Sequence, residues 1–135
     1  LEHYDLDMTS LDIDERRLQR VHENLERLGL SKKYHQGNDH YHIRSLAADA
    51  ADPEAWYDGR PFDVIMADVP CTAAGIVRRH PDIKWLRRPE DVAKTSELQR
   101  TIVQALWTTL KPGGYLLYIT CSIFPEEGEL QAAYL

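Results

Sequence analysis

The two cysteines of this chain each close an apolar run. Cys71 ends Val64-Ile65-Met66-Ala67-Asp68-Val69-Pro70-Cys71, and Cys121 ends Tyr115-Leu116-Leu117-Tyr118-Ile119-Thr120-Cys121, with Ser122 next. Ligands of an open α/β sheet bind at the carboxyl ends of its strands. Two thiols distant in sequence are therefore expected to converge on one crevice, which predicts a reactive site. Cys121 precedes a helix opened by Pro125, and a thiol near a helix N-terminus has a depressed pKa and more thiolate, as a nucleophile needs. Pro70 fixes the backbone before Cys71 and holds it near Asp68. The bland alternatives are two packed core thiols, or a disulfide, which this composition disfavours.

Three acids fall at successive strand tips: Asp12, Asp49 and Asp68. A carboxylate there can accept hydrogen bonds from a ribose. Taken singly, Asp12 reads equally as a helix cap and Asp49 as a solvated loop residue. Between the cysteines lie Arg78, Arg79, Lys84, Arg87 and Arg88, with His80 and Trp85 among them and few acids. Cations with an aromatic suit RNA phosphates and an unstacked base, whereas any one arginine alone reads as a solvated side chain in a local salt bridge. His35, His40 and His42 match no zinc spacing and read as a polar surface loop, so no metal is expected.

The elements that must position these residues alternate between strand and helix. Met8 to Ile13 reads as a strand, and Asp14 to Leu28 as a helix whose buried face is Leu18, Val21, Leu25 and Leu28, capped by Asp12 or Asp14 and ended by Gly29. Residues 31–44 read as a loop holding a weak strand, and Ser45 to Ala48 as a strand end with Asp49 at its tip. Residues 52–56 read as one helical turn, since proline suits a first helical position. Phe62 to Ala67 has the continuous apolar character of a buried parallel strand. Pro89 starts a long helix buried through Leu98, Ile102, Ala105, Leu106 and Thr109. Lys111-Pro112-Gly113-Gly114 stops it, Tyr115 to Thr120 is a strand, and Pro125-Glu126-Glu127 opens another helix. This alternation predicts an α/β fold with a parallel sheet and right-handed crossovers.

The chain has 135 residues, enough for one domain or part of one, and its 43% hydrophobic content allows a core. No apolar stretch reaches membrane-spanning length, and the first residues lack the pattern of a signal peptide. Two cysteines without a dense framework suit a reducing cytosol. A net charge of −6 excludes a protein that coats nucleic acid indiscriminately, without excluding an RNA enzyme that carries a local basic patch. There is no internal repeat and no low-complexity segment.

Together these residues resemble the RNA cytosine-5 methyltransferases, in their bacterial 16S ribosomal RNA methyltransferase B (Sun/Fmu) branch, over nearly the whole chain. The run from Leu11 to Leu18, with Asn24 and Arg27-Leu28-Gly29, is similar to the family's second motif. Ala48-Asp49-Ala50 is similar to its third, Asp68-Val69-Pro70-Cys71 to its fourth and Thr120-Cys121-Ser122 to its sixth. The stretch from Arg78 to Arg88 is the most specific to this branch.

The resemblance implies a Rossmann-like fold dependent on S-adenosylmethionine, with residues 1–135 as a partial catalytic domain. It implies 16S ribosomal RNA as substrate and a covalent cysteine–cytosine adduct. By resemblance Cys121 attacks, Cys71 assists release, Asp68 contacts the target ring or the cofactor, Asp12 holds the cofactor ribose and Asp49 its adenine side. The target base must be unpaired or flipped out. Val69 and Thr72 stand where the family more often has alanine and serine, and Gly128 where it often has asparagine. The family's glycine-rich cofactor loop and its strand are expected just before Leu1. Without them, the fragment is expected to bind cofactor weakly or not at all, to be inactive alone, and to dimerise through exposed sheet edges. Competing readings are a non-catalytic RNA-binding module of the same fold and a thiol redox protein. The latter is disfavoured because the cysteines form no Cys-x-x-Cys motif.

Overall fold

The computed structural model describes residues 6–30 and 41–134 and divides at Trp56/Tyr57 into two compact units. The first is a β-α-β unit. Strand β1 (Leu6–Asp12) leads to helix α1 (Glu15–Arg27) and returns as β2 (Tyr41–Ala47), parallel to β1 in a register running from Leu6↔Tyr41 to Asp12↔Ala47.

Asp14 caps α1 by accepting the Arg16 N–H at 3.0 Å. The helix ends where Gly29 takes φ +71°, with the Gly29 N–H on Glu26 O at 2.9 Å and the Leu30 N–H on Leu25 O at 2.8 Å. This left-handed stop satisfies two terminal carbonyls. It also changes the expected apolar face. Leu18 is buried and Val21 and Leu25 are half-buried, but Leu28 is 54% exposed, because the chain reverses at Gly29 and brings in Leu30 instead, at 8%.

Strand β2 starts at Tyr41, earlier than its polar sequence suggests. Pairing with β1 supplies the backbone hydrogen bonds whatever the side chains, and Ile43, at 4% exposure, anchors it. His42 therefore lies in a strand rather than in a loop, while His35 and His40 fall outside the described residues. The turn expected near Pro53 is a single 3-10 turn, Pro53–Ala55.

In the second unit, β3 (Phe62–Asp68) is followed by a short helix α2 (Ile83–Leu86), the long helix α3 (Pro89–Thr108), strand β4 (Leu110–Ile119) and helix α4 (Glu129–Tyr134). Strands β3 and β4 are parallel, from Val64↔Tyr115 to Asp68↔Ile119. Ile65 and Ala67 are buried, but Val64 and Met66 are 58% and 69% exposed. The continuous apolar run is thus buried on one face only. The cross-strand pairs Val64/Tyr115 and Met66/Leu117 make the other face apolar and open among the described residues.

Helix α3 corrects a second expectation. Leu98 is exposed, and the buried stripe is Ser96, Gln99, Ile102, Val103 and Leu106, with Thr109 just beyond the helix end. Two polar residues enter the interior because each is hydrogen-bonded there. The Ser96 hydroxyl donates to Glu126 O at 2.9 Å, and Gln99 Nε2 donates to Pro70 O at 2.8 Å. Lys111-Pro112-Gly113-Gly114 does not stop this helix, which ends at Thr108. It loops out of β4, where the pairing jumps from Phe62↔Leu110 to Val64↔Tyr115. Gly113 sits at φ +81°, and a Cβ on Gly114 would lie 2.8 Å from Asp63 O, so both glycines are required. Lys111 Nζ meets Asp63 Oδ1 at 2.8 Å across the excursion.

Candidate thiol site

The strand ends of β3 and β4 set the chemistry. Past Asp68, the Val69 N–H donates to Ile119 O at 3.1 Å, and the two chains leave the sheet side by side. Pro70 and Cys71 follow one strand, Thr120 and Cys121 the other. The sulfur atoms of Cys71 and Cys121 stand 3.1 Å apart, in hydrogen-bond contact and not joined, both as free thiols. The convergence expected from two strand-end cysteines is therefore present. Cys71 is half-buried and Cys121 exposed, so neither is a packed core thiol.

Ala73 holds the turn after Cys71 in the left-handed region at φ +60°, a strained conformation for a residue with a Cβ. The turn brings the Ala73 N–H to the Cys71 sulfur. The next residues, Ala74–Ile76, form a 3-10 turn that lies on the other loop, with the Gly75 N–H donating to Cys121 O at 2.9 Å.

The electrostatics differ from the helix-terminus expectation. Burial pushes the Cys71 thiol up, but hydrogen bonds from Cys121, from the Thr120 side chain and from the Cys121 and Ala73 N–H groups outweigh it, leaving Cys71 below its ordinary value. Cys121 is pushed up to about 11, first by its hydrogen bond to Cys71, then by burial and the Cys71 charge, with the Asp68 carboxylate adding a smaller push. Helix α4 has only 6 residues and begins eight positions after Cys121, so no helix dipole acts on that thiol. Two sulfurs in contact share one negative charge, and the first and second protons leave as properties of the pair.

A pH profile of alkylation tests this. At pH 8 iodoacetamide should modify one thiol of the pair quickly, with Cys71 favoured, because a lowered pKa leaves thiolate present below the ordinary thiol range. While Cys71 is unmodified, Cys121 should react only as pH approaches about 11; blocking Cys71 removes its charge and frees Cys121 to follow. Equal initial rates of alkylation at the two thiols at pH 8, read by peptide mass spectrometry, would contradict the shared charge.

The remaining residues singled out by sequence lie as follows. Asp68 ends β3 exposed, close enough for its charge to act on Cys121. In the first unit, Asp12 ends β1, and its Oδ1 accepts the Asp14 N–H at 2.8 Å, so it braces the cap residue while Asp14 does the capping. Asp49 follows β2 by two residues, with Oδ1 on the Ala51 N–H at 2.9 Å. Its carbonyl accepts Trp56 Nε1 at 3.0 Å, and Trp56 is buried. Asp12 thus stands at, and Asp49 just past, the carboxyl ends of neighbouring parallel strands.

The basic residues are all exposed, and two have structural duties. Arg87 Nε donates to Thr72 O at 2.9 Å, tying the segment to the Cys71 loop. Arg88 precedes α3, where its N–H donates to Asp91 at 2.9 Å. Lys84 Nζ lies 4.9 Å above the ring of Trp85, itself 80% exposed. A cavity of about 650 Å³ lies against this segment, with Ala74 and Val77 from the Cys71 side, Phe124 from the Cys121 side, and Ile83, Lys84 and Arg87 between. Among the described residues no cluster of three metal-ligand side chains occurs, and no helix is long and apolar enough to cross a membrane.

The family model described as 16S rRNA methyltransferase RsmB/F matches residues 2–135. The chain belongs to that family. It is 49% identical over 124 residues to the ribosomal RNA small subunit methyltransferase B of Vibrio cholerae, and 48% identical over 124 residues to that of Klebsiella pneumoniae. Each match covers 92% of this chain and 26% of the relative, so the chain spans about a quarter of their length. Among solved structures, it is similar to NSun6 from Pyrococcus horikoshii with SFG at TM-score 0.76 and 27% identity, over 95% of this chain and 29% of that one. A methyltransferase homolog protein from the same organism matches at TM-score 0.70 and 28% identity, over 93% of this chain and 35% of that one. The chain thus has part of the α/β, Rossmann-like fold of S-adenosylmethionine-dependent methyltransferases.

Within this RsmB/F chain, the residue that sequence reasoning missed is Glu127. It is fully buried, and its Oε1 accepts the Thr72 N–H at 2.8 Å and Gln99 Nε2 at 3.4 Å. Its Oε2 accepts the hydroxyls of Thr72 and Ser122, each at 2.5 Å. Thr72 follows Cys71 and Ser122 follows Cys121. The signal was an acid within a few residues of Thr-Cys-Ser, read only as a helix-opening charge. Thr72, noted as a mild departure, keeps the hydroxyl that serine would provide.

Proposed function

We propose that this chain is the thiol-bearing part of an enzyme that transfers a methyl group from S-adenosylmethionine to carbon 5 of a cytosine in 16S ribosomal RNA. The observation that carries the reading is the pair of thiols in contact at the ends of two parallel strands, with a carboxylate beside them. The names of the relatives and the likeness to the structure of NSun6 with SFG support it.

Carbon 5 of cytosine is a weak nucleophile while the ring is aromatic. The Cys121 thiol passes its proton to the Cys71 thiolate, and its sulfur adds at carbon 6 with the freed electron pair. The displaced π electrons make carbon 5 nucleophilic, and it takes the methyl group. A base removes the carbon 5 proton, the double bond re-forms, and the sulfur leaves as thiolate. Cys71, by then a thiol, assists that release by returning its proton to the departing sulfur. Asp68 contacts the target ring and stabilises the adduct. Bound cofactor supplies an electrophilic methyl on a sulfonium. Asp12 and Asp49 fit its nucleoside as hydrogen-bond acceptors, two carboxylates at adjacent strand ends of one unit, with Asp12 at the ribose and Asp49 on the adenine side. Arg78, Arg79, Lys84, Arg87 and Arg88 face phosphates, and Trp85 offers a stacking surface.

Tritium release from carbon-5-labelled cytidine in 16S ribosomal RNA tests the reaction in the intact protein. Release dependent on S-adenosylmethionine is expected. RNA binding without any release would favour the non-catalytic RNA-binding module.

A further inference from the structure

We infer that Glu127 is the positioning residue of the thiol pair, acting through Thr72 and Ser122. The inference rests on the methyl-transfer reading for its consequence in catalysis, and on geometry alone for its consequence at the sulfurs.

The two cysteines ride on loops that have left the sheet, so strand pairing no longer fixes their separation. Beyond the last ladder bonds, the backbones of the loops are joined directly by the Gly75 N–H on Cys121 O at 2.9 Å; the other direct links are the bonds from Cys121 and Thr120 to the Cys71 sulfur itself and a long Thr72 Oγ1 to Ser122 Oγ approach at 3.4 Å. Glu127 spans the gap. One carboxylate takes a backbone N–H and a hydroxyl from the residue after Cys71, and a hydroxyl from the residue after Cys121.

The carboxylate is itself held. Gln99 reaches it from α3 while donating its stronger bond to Pro70 O, which fixes the residue before Cys71. The Glu127 carbonyl accepts Tyr118 Oη at 2.8 Å, tying its backbone to β4. Burial and the negative charges of Glu127 and Cys71 push that phenol up to about 12, so it remains a donor across the working range. A buried carboxylate with four hydrogen-bond donors is satisfied, and charge-assisted bonds of this kind are short and directional. The arrangement places no Glu127 oxygen on either sulfur. Its effect is on distance, and the sharing of one charge by two sulfurs requires contact near 3.1 Å.

Two readouts separate this role from a general contribution to folding. The first is the alkylation profile, which needs no RNA. In Glu127→Ala the two thiols should become independent, both reacting at pH 8 at comparable initial rates, instead of Cys71 first and Cys121 only once Cys71 is blocked. Glu127→Gln keeps the shape, one acceptor and an amide that can meet the hydroxyls, and should restore most of the wild-type profile. The second is methyl transfer in the intact protein. Glu127→Ala should lower kcat roughly 100-fold, the scale of a misplacement near 1 Å, with KM for RNA unchanged.

A folded Glu127→Ala variant with the wild-type alkylation profile overturns the inference. If that variant does not fold, Thr72→Val and Ser122→Ala each remove one leg of the bridge and should uncouple the thiols, and an unchanged profile in both overturns it equally. Uncoupled thiols with no methyl transfer even in the wild type would uphold the positioning role and remove the proposed reaction.

Discussion

Cys121→Ala should abolish the covalent complex with RNA containing 5-azacytidine, and Cys71→Ala should not. The analogue carries nitrogen at position 5, so there is no carbon 5 proton to remove and the sulfur cannot be expelled. The adduct therefore survives denaturing electrophoresis as a slow-moving band. With Cys121 gone no bond to carbon 6 can form, and methyl transfer to ordinary RNA should fall by roughly 10³-fold or more, as when a nucleophile is deleted. With Cys71 gone the attacking sulfur remains but its proton partner is lost. The complex should then form with ordinary cytosine and accumulate, because release is the impaired step. The deletion also removes the neighbour that holds Cys121 near 11, so Cys121 in Cys71→Ala should alkylate faster at pH 8 than in the wild type. The reverse pattern, a stable adduct in Cys121→Ala, would exchange the roles of the two cysteines.

Gly75→Ala should be nearly as damaging, although the change is one methyl group. A Cβ on Gly75 would stand 2.5 Å from Cys121 O and 3.3 Å from its carbonyl carbon. Both are backbone atoms, so no rotamer relieves the clash, and one loop must move away from the other. The bond from the Gly75 N–H to Cys121 O would stretch, and the sulfur that follows that backbone would shift with it. A displacement near 1 Å at reacting atoms costs about 100-fold. The expected result is a folded protein with kcat down by about that factor. Its RNA affinity should fall less than kcat, since the clash meets the Cys121 backbone and none of the exposed cations. Thermal unfolding and RNA binding measured beside kcat would show it, and an unchanged kcat would mean that the loops tolerate separation. Gly114→Ala gives a useful contrast, since its clash with Asp63 O lies far down β3 from the thiols and should affect stability more than rate.

Much of this was legible in the residues. Strand tips are marked by the end of an apolar run, and both cysteines and Asp68 lie where that pattern places them. Asp14 and Gly29 announced the ends of α1 by their side-chain oxygen and missing Cβ. Periodicity failed where polar groups are buried for a hydrogen bond. Ser96 and Gln99 occupy the inner stripe of α3 in place of Leu98, since the Ser96 hydroxyl and Gln99 Nε2 each find an acceptor there and a leucine can stay out. It failed also where backbone pairing alone makes a strand, as at Tyr41 and His42. The expected low pKa of Cys121 rested on a helix that proves short and late, and the sulfur beside it decides its charge instead. Glu127 was hidden because its partners are 55 and 5 positions away, and no local spacing announces a bridge of that span.

The bond from Arg87 to the carbonyl of Thr72 has a thermodynamic consequence for any anion that meets the basic segment. A free arginine forfeits rotational freedom when it clasps a phosphate, and that loss subtracts from affinity. Here one guanidinium nitrogen is already anchored, and the exposed remainder of the group is aimed before a ligand arrives. Selectivity at this position accordingly comes from a stiff fork of fixed direction, which favours a phosphate on one line of approach over the many that a loose cation would accept.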